Sequence, residues 1–503
     1  MIRLALLLTV WTAPALAQAP PELSVVARQA LGLTTDAGAA LYARAYADAL
    51  DFRLDDAHRG FRQLAEVEPG PAAVYGLEST ALWRALMTED DDDFDRFYAL
   101  NDSLQGVAGR LADAPGARLV AATGSLHRAL AFGRQERYAR AGNAFRDACG
   151  QFRDLSEPDA DFGRGVCEVA AGAVPRKYRW LARLFGFSGN VAGGLERLDR
   201  AARAGGALAV DAAVAFAVSD ATLNERRAGS VDRLVALAET RPSSPVLGYL
   251  AGYHLLLDRR AAQAEAALRR AGDAQGRPGV TAVPFVQAHL GLALFRQRRF
   301  QDAAPMLEEY ARTFRGRALV AQSTLDAGIA YEMTGDRGRA ERLYRRVRAN
   351  RDYDSDLSAA REAGRRMEAP MTDAERALVR GGAAYDAGDY DQAVRELQPI
   401  VTGGDLPPVV RAEAAYRTGR ARQAQENWPD ALRHFQLAID RPGDPLAKWG
   451  PWSVYHTGEV HEAQGDVDRA QEAYRRALDN EGEFDYHKAL EQRVRAALER
   501  IGR

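Results

Sequence analysis

The sequence predicts an all-α chain, a right-handed solenoid of antiparallel helix pairs. Three observations carry this reading. A glycine, an alanine twelve residues later and a large apolar or aromatic residue four beyond that recur six times. The six alanines are Ala264, Ala303, Ala340, Ala393, Ala431 and Ala470, spaced 39, 37, 53, 38 and 39 apart. The chain has 503 residues, 47% hydrophobic, 8% aromatic and 27% charged, which is globular and too long for one ordinary domain. Helix pairs of this kind cannot bury an apolar face alone, so they stack in one dimension.

Charge excludes one class of partner. Lys+Arg total 67 and Asp+Glu 69, a net of −2, with only Lys177, Lys448 and Lys488 as lysines. That is no electrostatic footprint for nucleic acid.

The first element is an address. Arg3 precedes an apolar run from Leu4 to Leu16, and Ala15-Leu16-Ala17 forms an A-x-A cleavage site before Gln18. Residues 1–17 thus read as a signal peptide, cleaved after Ala17. The run is too short to span a bilayer. Ala207 to Val218 comes nearest among later stretches, but it is short and holds Asp211. No cysteine follows the cleavage site, so no lipid anchor is expected. The pattern fits a periplasmic or secreted chain with no membrane span.

Residues 18–240 read as a degenerate helical region. Ala45, Ala57, Phe61 and Pro69 follow the repeat offsets, and so do Ala129, Tyr138, Ala141, Phe145 and Ala148. Cys149 and Cys167 flank a helix break at Ser156-Glu157-Pro158. On an antiparallel hairpin they sit at similar heights. They are either a disulfide, which export permits, or two small core residues on facing helices.

Residues 241–503 hold the clear array. Twelve residues before each alanine stand Gly252, Gly291, Gly328, Gly381, Gly419 and Gly458. Only 45 of 503 residues are glycine, so six of six is not chance. Glycine inside a helix costs about 1 kcal/mol against alanine, so its recurrence implies a packing gain. The expectation is that each glycine faces its alanine, so that two helices approach closely. The large residues are Leu268, Leu307, Tyr344, Leu397, Phe435 and Tyr474. The 53-residue interval holds an insertion near 349–372, with an extra helix expected over 358–367.

The stretch Ala383-Ala384-Tyr385-Asp386-Ala387-Gly388-Asp389-Tyr390-Asp391-Gln392-Ala393 resembles the tetratricopeptide repeat (TPR), whose pattern is a small residue on helix A, a turn, then Ala-x3-Phe on helix B. The resemblance covers roughly residues 40–500 and implies a TPR-like superhelix whose A helices line a concave face. A narrower likeness is carried by Lys177–Ala202, with its Gly-Phe-Ser-Gly turn and Gly-Leu-x-x-Leu-x-x-Ala run, and by Phe484–Glu491. These are similar to the eukaryotic tetratricopeptide-repeat-39 and inclusion-body-clearance family. That likeness implies a non-enzymatic adaptor; the export signal departs from it.

Catalytic constellations are missing from the sequence. There is no phosphate loop, H-E-x-x-H, G-x-S-x-G or C-x-x-C. The acidic run Glu89–Asp93 lacks the order of a calcium loop and suits a helix N-terminus. His456 and Glu459 share a helical face, but His461 is turned away by about 140°, so no metal site is expected. No cofactor is expected either.

Residues six and three before each packing glycine, and one, four and five after it, share one face of helix A. In the last repeats they give a candidate partner groove of Tyr385, Tyr416, Arg420, Trp452, Tyr455 and Glu459. Aromatics and arginine are typical binding anchors. The reading is a non-enzymatic scaffold of the bacterial cell envelope that binds a protein or peptide on its concave face. Two others stand beside it. One is an accessory subunit of an export or outer-membrane assembly system. The other is a solenoid-based hydrolase or carbohydrate-binding protein, for which Glu459 and Glu462 are the acidic pair.

Overall fold

The computed structural model describes residues 22–173, 189–223, 227–348, 354–441, 447–479 and 484–502. Residues 1–17, the expected signal peptide, lie outside them, as do residues 177–188 of the narrower motif. Among the described residues there are 25 helices and no strand.

The helices run α1 (Val25–Ala30), α2 (Asp36–Leu50), α3 (Leu54–Val67), α4 (Pro71–Thr88), α5 (Asp91–Arg110), α6 (Ala117–Arg134), α7 (Tyr138–Arg153), α8 (Ala160–Ala173) and α9 (Val191–Arg203). Next come α10 (Ala209–Leu223), α11 (Arg227–Thr240), α12 (Pro245–Leu257), α13 (Ala261–Gln275), α14 (Pro284–Arg296), α15 (Phe300–Thr313), α16 (Val320–Met333) and α17 (Arg337–Tyr344). The inserted helix α18 (Asp354–Glu368) starts four residues before the expected position. The last are α19 (Asp373–Ala387), α20 (Tyr390–Thr402), α21 (Pro408–Ala424), α22 (Trp428–Ile439), α23 (Trp449–Ala463), α24 (Val467–Leu478) and α25 (His487–Ile501). Two compact units result. One is Met1–Asp258 with Ala266–Val286 and Phe314–Gly316; the other is Arg259–Glu265, Gln287–Thr313 and Arg317–Arg503.

One backbone position unites the repeats of both units. Five residues before each repeat alanine, the chain turns through a left-handed conformation. This holds at Phe52 (φ 58°), Glu136 (62°), Arg259 (58°), Arg298 (63°), Gly335 (92°), Gly388 (87°), Glu426 (58°) and Gly465 (78°). The turn ends helix A and redirects the chain into helix B. The next residue caps helix B where it can: Asp336, Asp389, Asn427 and Asp466 each accept a backbone N–H from the first turn of α17, α20, α22 and α24. Arg53 and Arg137 stand there in the first unit and give α3 and α7 no side-chain cap.

At the six packing glycines an added side chain would meet a large neighbour. A Cβ at Gly252 would lie 2.5 Å from Leu268, at Gly291 2.8 Å from Leu307, and at Gly328 2.5 Å from Tyr344. At Gly381 it would lie 2.5 Å from Leu397, at Gly419 2.6 Å from Phe435, and at Gly458 2.5 Å from Tyr474. The glycine therefore makes room for the large side chain itself, sixteen residues on. Real Cβ atoms cannot approach that closely, so the notch is obligatory. The six alanines are buried at 0% exposure and let the helix carrying the large residue lie close.

The first unit closes on itself. Ser24 Oγ donates to the carbonyl of Gly205 (2.5 Å), and Tyr46 Oη to Asp211 (3.1 Å). Arg241 donates to the Asp51 carboxylate (2.7 Å) and the Ala47 carbonyl (2.9 Å), and the Thr281 N–H to the Phe52 carbonyl (2.8 Å). One apolar core runs from Ala27 and Leu31 through Phe61, Phe152 and Phe162 to Leu208 and Ala215. Within this unit Cys149 on α7 and Cys167 on α8 form a disulfide.

Candidate functional site

The six groove candidates come together in the second unit, on α19, α21 and α23. Equivalent positions in successive repeats meet because the period places them on the same face of neighbouring A helices. Arg420 and Glu459 each follow a packing glycine, and their Nη1 and Oε2 atoms lie 3.2 Å apart. Arg420 Nε–H also donates to Tyr385 Oη at 3.2 Å, and Gln423 Nε2–H to Glu459 Oε2 at 3.1 Å. Tyr416 Oη lies 3.2 Å from His456 Nε2, and His456 Nδ1 lies 2.7 Å from Glu459 Oε2. The result is a polar ladder of three rungs, roofed by aromatic rings.

Exposure divides the six. Tyr385, Trp452 and Tyr455 are buried, at 7%, 8% and 5% exposure. Trp452 and Tyr455 meet edge to face at 5.9 Å, and Tyr455 packs on Tyr474 at 5.6 Å. Leu490 and Val494 of the terminal helix α25 complete that core, and Arg493 lies 5.4 Å from the Trp452 ring centre. Tyr385 is covered by Arg259, 4.5 Å from its ring centre. These three rings therefore pack between helices and do not face open space as the periodicity alone implied. Tyr416 is half-buried, and the Arg420 and Glu459 side chains keep 19% and 28% exposure.

The electrostatics follow from burial. His456, with its side chain 3% exposed, is pushed down to about 4 by burial first and by the Arg420 cation second. Burial works against the Glu459 carboxylate, but His456 and Arg420 outweigh it and hold the group well below its usual range. Glu462 is held low in the same way, against burial, by Arg500 (2.6 and 2.8 Å) and by the Tyr474 hydroxyl (2.7 Å). The two acids that a hydrolase would need are thus each committed to an arginine. Beside the ladder, Lys448 lies against the rings of Trp449 and Tyr486, and burial first and Arg417 second push it down to about 8.

Sequence reasoning missed Arg259 and the terminal arginines. Arg259 reaches Tyr385 across 126 residues of chain, and no local pattern signals that. Among the described residues, no group of three or more His, Cys, Asp or Glu could hold a metal ion. None of the described helices is long and apolar enough to cross a membrane.

A family model described as tetratricopeptide repeat matches residues 126–176, 289–355 and 378–447, and a second model of the same description matches 452–481. No curated protein matches the chain in sequence. Solved structures do. Yeast Tom70 is 11% identical, covering 88% of this chain and 99% of its own, with a TM-score of 0.31. Human IFIT1, solved as a dimer with PPP-AAAA, is 14% identical over 85% and 94%, at 0.30. MamA from Desulfovibrio magneticus RS-1 is 18% identical over 39% and 93%, at 0.20. Scores this low carry no argument about function. The glycine notch, the left-handed turn five residues before each alanine and the family match together make the chain a tetratricopeptide-repeat protein, a class that serves as protein-interaction scaffolds.

Proposed function

We propose that this protein is a scaffold of the bacterial cell envelope that holds a polypeptide partner on the A-helix face of its second unit. The observation that carries the reading is the ladder of Arg420, Gln423 and Glu459 beside Tyr416. It offers donors and an acceptor at the repeat spacing of the chain, on buried rings that hold it rigid. A rigid polar row of this kind matches the backbone and charged side chains of an extended peptide, at low entropic cost. The buried Trp452 and Tyr455 support the ladder and do not themselves touch the partner. The envelope location rests on the N-terminal pattern ending at Ala17.

The test is an in-cell crosslink and pull-down from the envelope fraction. Wild type is compared with an Arg420→Glu/Glu459→Arg exchange, which keeps the ion pair and inverts the pattern a partner sees. The expected result is a protein recovered by wild type and lost by the exchange, with the melting temperature changed little. Recovery of the same protein by both would place the binding face elsewhere. A mature N-terminus at Gln18 in the periplasmic fraction checks the address, and intact protein starting at Met1 in the cytoplasm would overturn it. The mass of the partner separates a free peptide ligand from a subunit of an export or assembly machine.

A further inference from the structure

The chain's net charge of −2 hides one local imbalance. Residues 337–348, which form α17 and the turn after it, hold six arginines and one acid, Glu341. The equivalent stretches around Ala264, Ala303, Ala393, Ala431 and Ala470 carry net charges between −3 and +1. The same repeat has the shortest helix B of the array. α17 ends after 8 residues, whereas α13, α15, α20, α22 and α24 run for 12 to 15.

Pairing within the chain accounts for two of the six arginines. Arg337 meets Glu332 and Glu341 at 2.8 Å each, and Arg339 meets Glu308 at 2.6 Å. Arg342, Arg345, Arg346 and Arg348 are exposed, and among the described residues their guanidinium groups have no carboxylate partner. A cation at a helix C-terminus is favoured by the dipole, and Arg342 in the last turn of α17 serves that end. The other three go beyond that need. Like charges three and four positions apart, as at 342, 345 and 346, repel one another. The arrangement is repulsive within the chain, and an external anion relieves it.

The chemistry of the patch narrows the partner. A guanidinium fork matches phosphate oxygens two at a time. The apolar residues between the arginines, Leu343, Tyr344 and Val347, are buried at 2%, 3% and 8% exposure. They therefore give a protein interface no apolar centre and nucleic-acid bases no ring to stack on. What is left binds by charge alone over a short span, about 12 Å for a helix of this length. A layer of phosphodiester headgroups offers dense, repeated negative charge with no demand on shape. The patch is carried by a B helix, so it leaves the ladder on the A helices free.

We propose that the arginine-bearing end of α17 docks this protein on an anionic phospholipid surface. It lies against the headgroups and does not enter the hydrocarbon. At physiological salt such attraction reaches only about 8 Å, so direct contact holds the protein there.

The experiment is co-sedimentation of the full mature chain with vesicles of one-third phosphatidylglycerol in phosphatidylcholine, beside vesicles of phosphatidylcholine alone. The expected result is binding to the mixed vesicles only, with release as NaCl rises to about 1 M, where screening shortens to about 3 Å. Arg345→Gln/Arg346→Gln is expected to weaken binding about twenty-fold, at about five-fold for each arginine. Arg475→Gln/Arg476→Gln changes the same two positions of the last repeat, on α24, and is expected to leave binding unchanged. If the first variant does not fold, the exposed Arg342→Gln is expected to weaken binding about five-fold. No binding to the mixed vesicles, equal binding to phosphatidylcholine alone, or equal losses in the two double variants overturns the proposal. So does tighter binding of a DNA duplex than of the vesicles at equal phosphate, which would assign the patch to nucleic acid.

Discussion

Early and late helix pairs solve the same packing problem with the notch in different places. In the repeats from Gly252 onward the glycine sits on helix A and admits the large residue of its own helix B, always sixteen residues later, as with Gly419 and Phe435 or Gly458 and Tyr474. At three earlier glycines, in residues 61–163, the order is reversed. Phe61 of α3 fills the space at Gly76 of α4, and Phe152 of α7 the space at Gly163 of α8, while a Cβ at Gly124 of α6 would lie 2.8 Å from Leu104 of α5. These notches lie between successive pairs, and their offsets of 15, 11 and 20 vary with the loops they span. Ala45 and Ala129 stand where the later repeats have glycine, and Gly60 yields to Ala45 instead. A notch within a pair is periodic and a notch between pairs is not. The family match covers residues 126–176 and most of 289–481 and leaves 22–125 untouched.

The largest test of this contrast is steric. Gly419→Leu puts a side chain into the Phe435 ring and is expected to cost about 3 kcal/mol or more by urea unfolding. Adding Phe435→Ala is expected to recover part of that, whereas Ala45→Gly in the first unit costs only about 1 kcal/mol. A severe effect of Ala45→Gly would show that the first unit uses the same notch after all. The disulfide belongs to the first unit alone. It closes a loop with a sequence separation of 18, so reduction is expected to remove about 3 kcal/mol from that unit. Hydrogen exchange with and without reductant reads this: faster exchange in 117–173 and no change in 373–463 is the expected outcome.

Two buried histidines give the units opposite pH responses. His456 is lowered from 6.5 to about 4, by burial first and Arg420 second, so the unfolded chain takes up its proton more readily. Its contribution is present above 6.5 and is lost as pH falls towards 4. His127 is raised: burial opposes its charge, but Glu78 at 2.8 Å outweighs that. Its contribution is full below 6.5 and is lost as pH climbs through its raised value. Melting curves of His456→Asn and His127→Asn from pH 4 to 9 are expected to diverge from wild type in opposite directions. A parallel change in both would refute the assignment. The smallest effect lies in the turns. Glu426 takes a left-handed φ of 58° where other repeats have glycine. Relief of that strain exceeds the entropy lost by glycine only slightly, so Glu426→Gly is expected to stabilise by about 0.5 kcal/mol, and a loss of melting temperature would contradict this.

Much of the second unit was legible in the sequence because its constraints are local. Glycine, alanine and large residue fall at fixed offsets, so helix pairs and their order follow. The left-handed turn was only partly legible, since three of its eight positions are glycine and the rest are Phe, Glu or Arg. The ladder was legible as a face, because Tyr416, Arg420, Tyr455 and Glu459 keep helical spacing. Its burial was not. Trp452 is covered by Leu490 and Val494 of α25, and Tyr385 by Arg259, contacts between distant segments that no period encodes. The closure of the first unit was invisible for the same reason, since Tyr46 and Asp211 are 165 residues apart.

That closure bears on how the chain can fold. In a solenoid, contacts join near neighbours, so structure can grow as the polypeptide emerges, one pair after another. The first unit forbids this. Its hydrogen bonds join residues 165, 181, 194 and 225 positions apart. Such long-range closures are slow to form, although every element is a helix. The earliest helices must wait, exposed, for more than two hundred residues behind them. A chain emerging from its N-terminus therefore finishes its second unit pair by pair, and its first unit in a single late step.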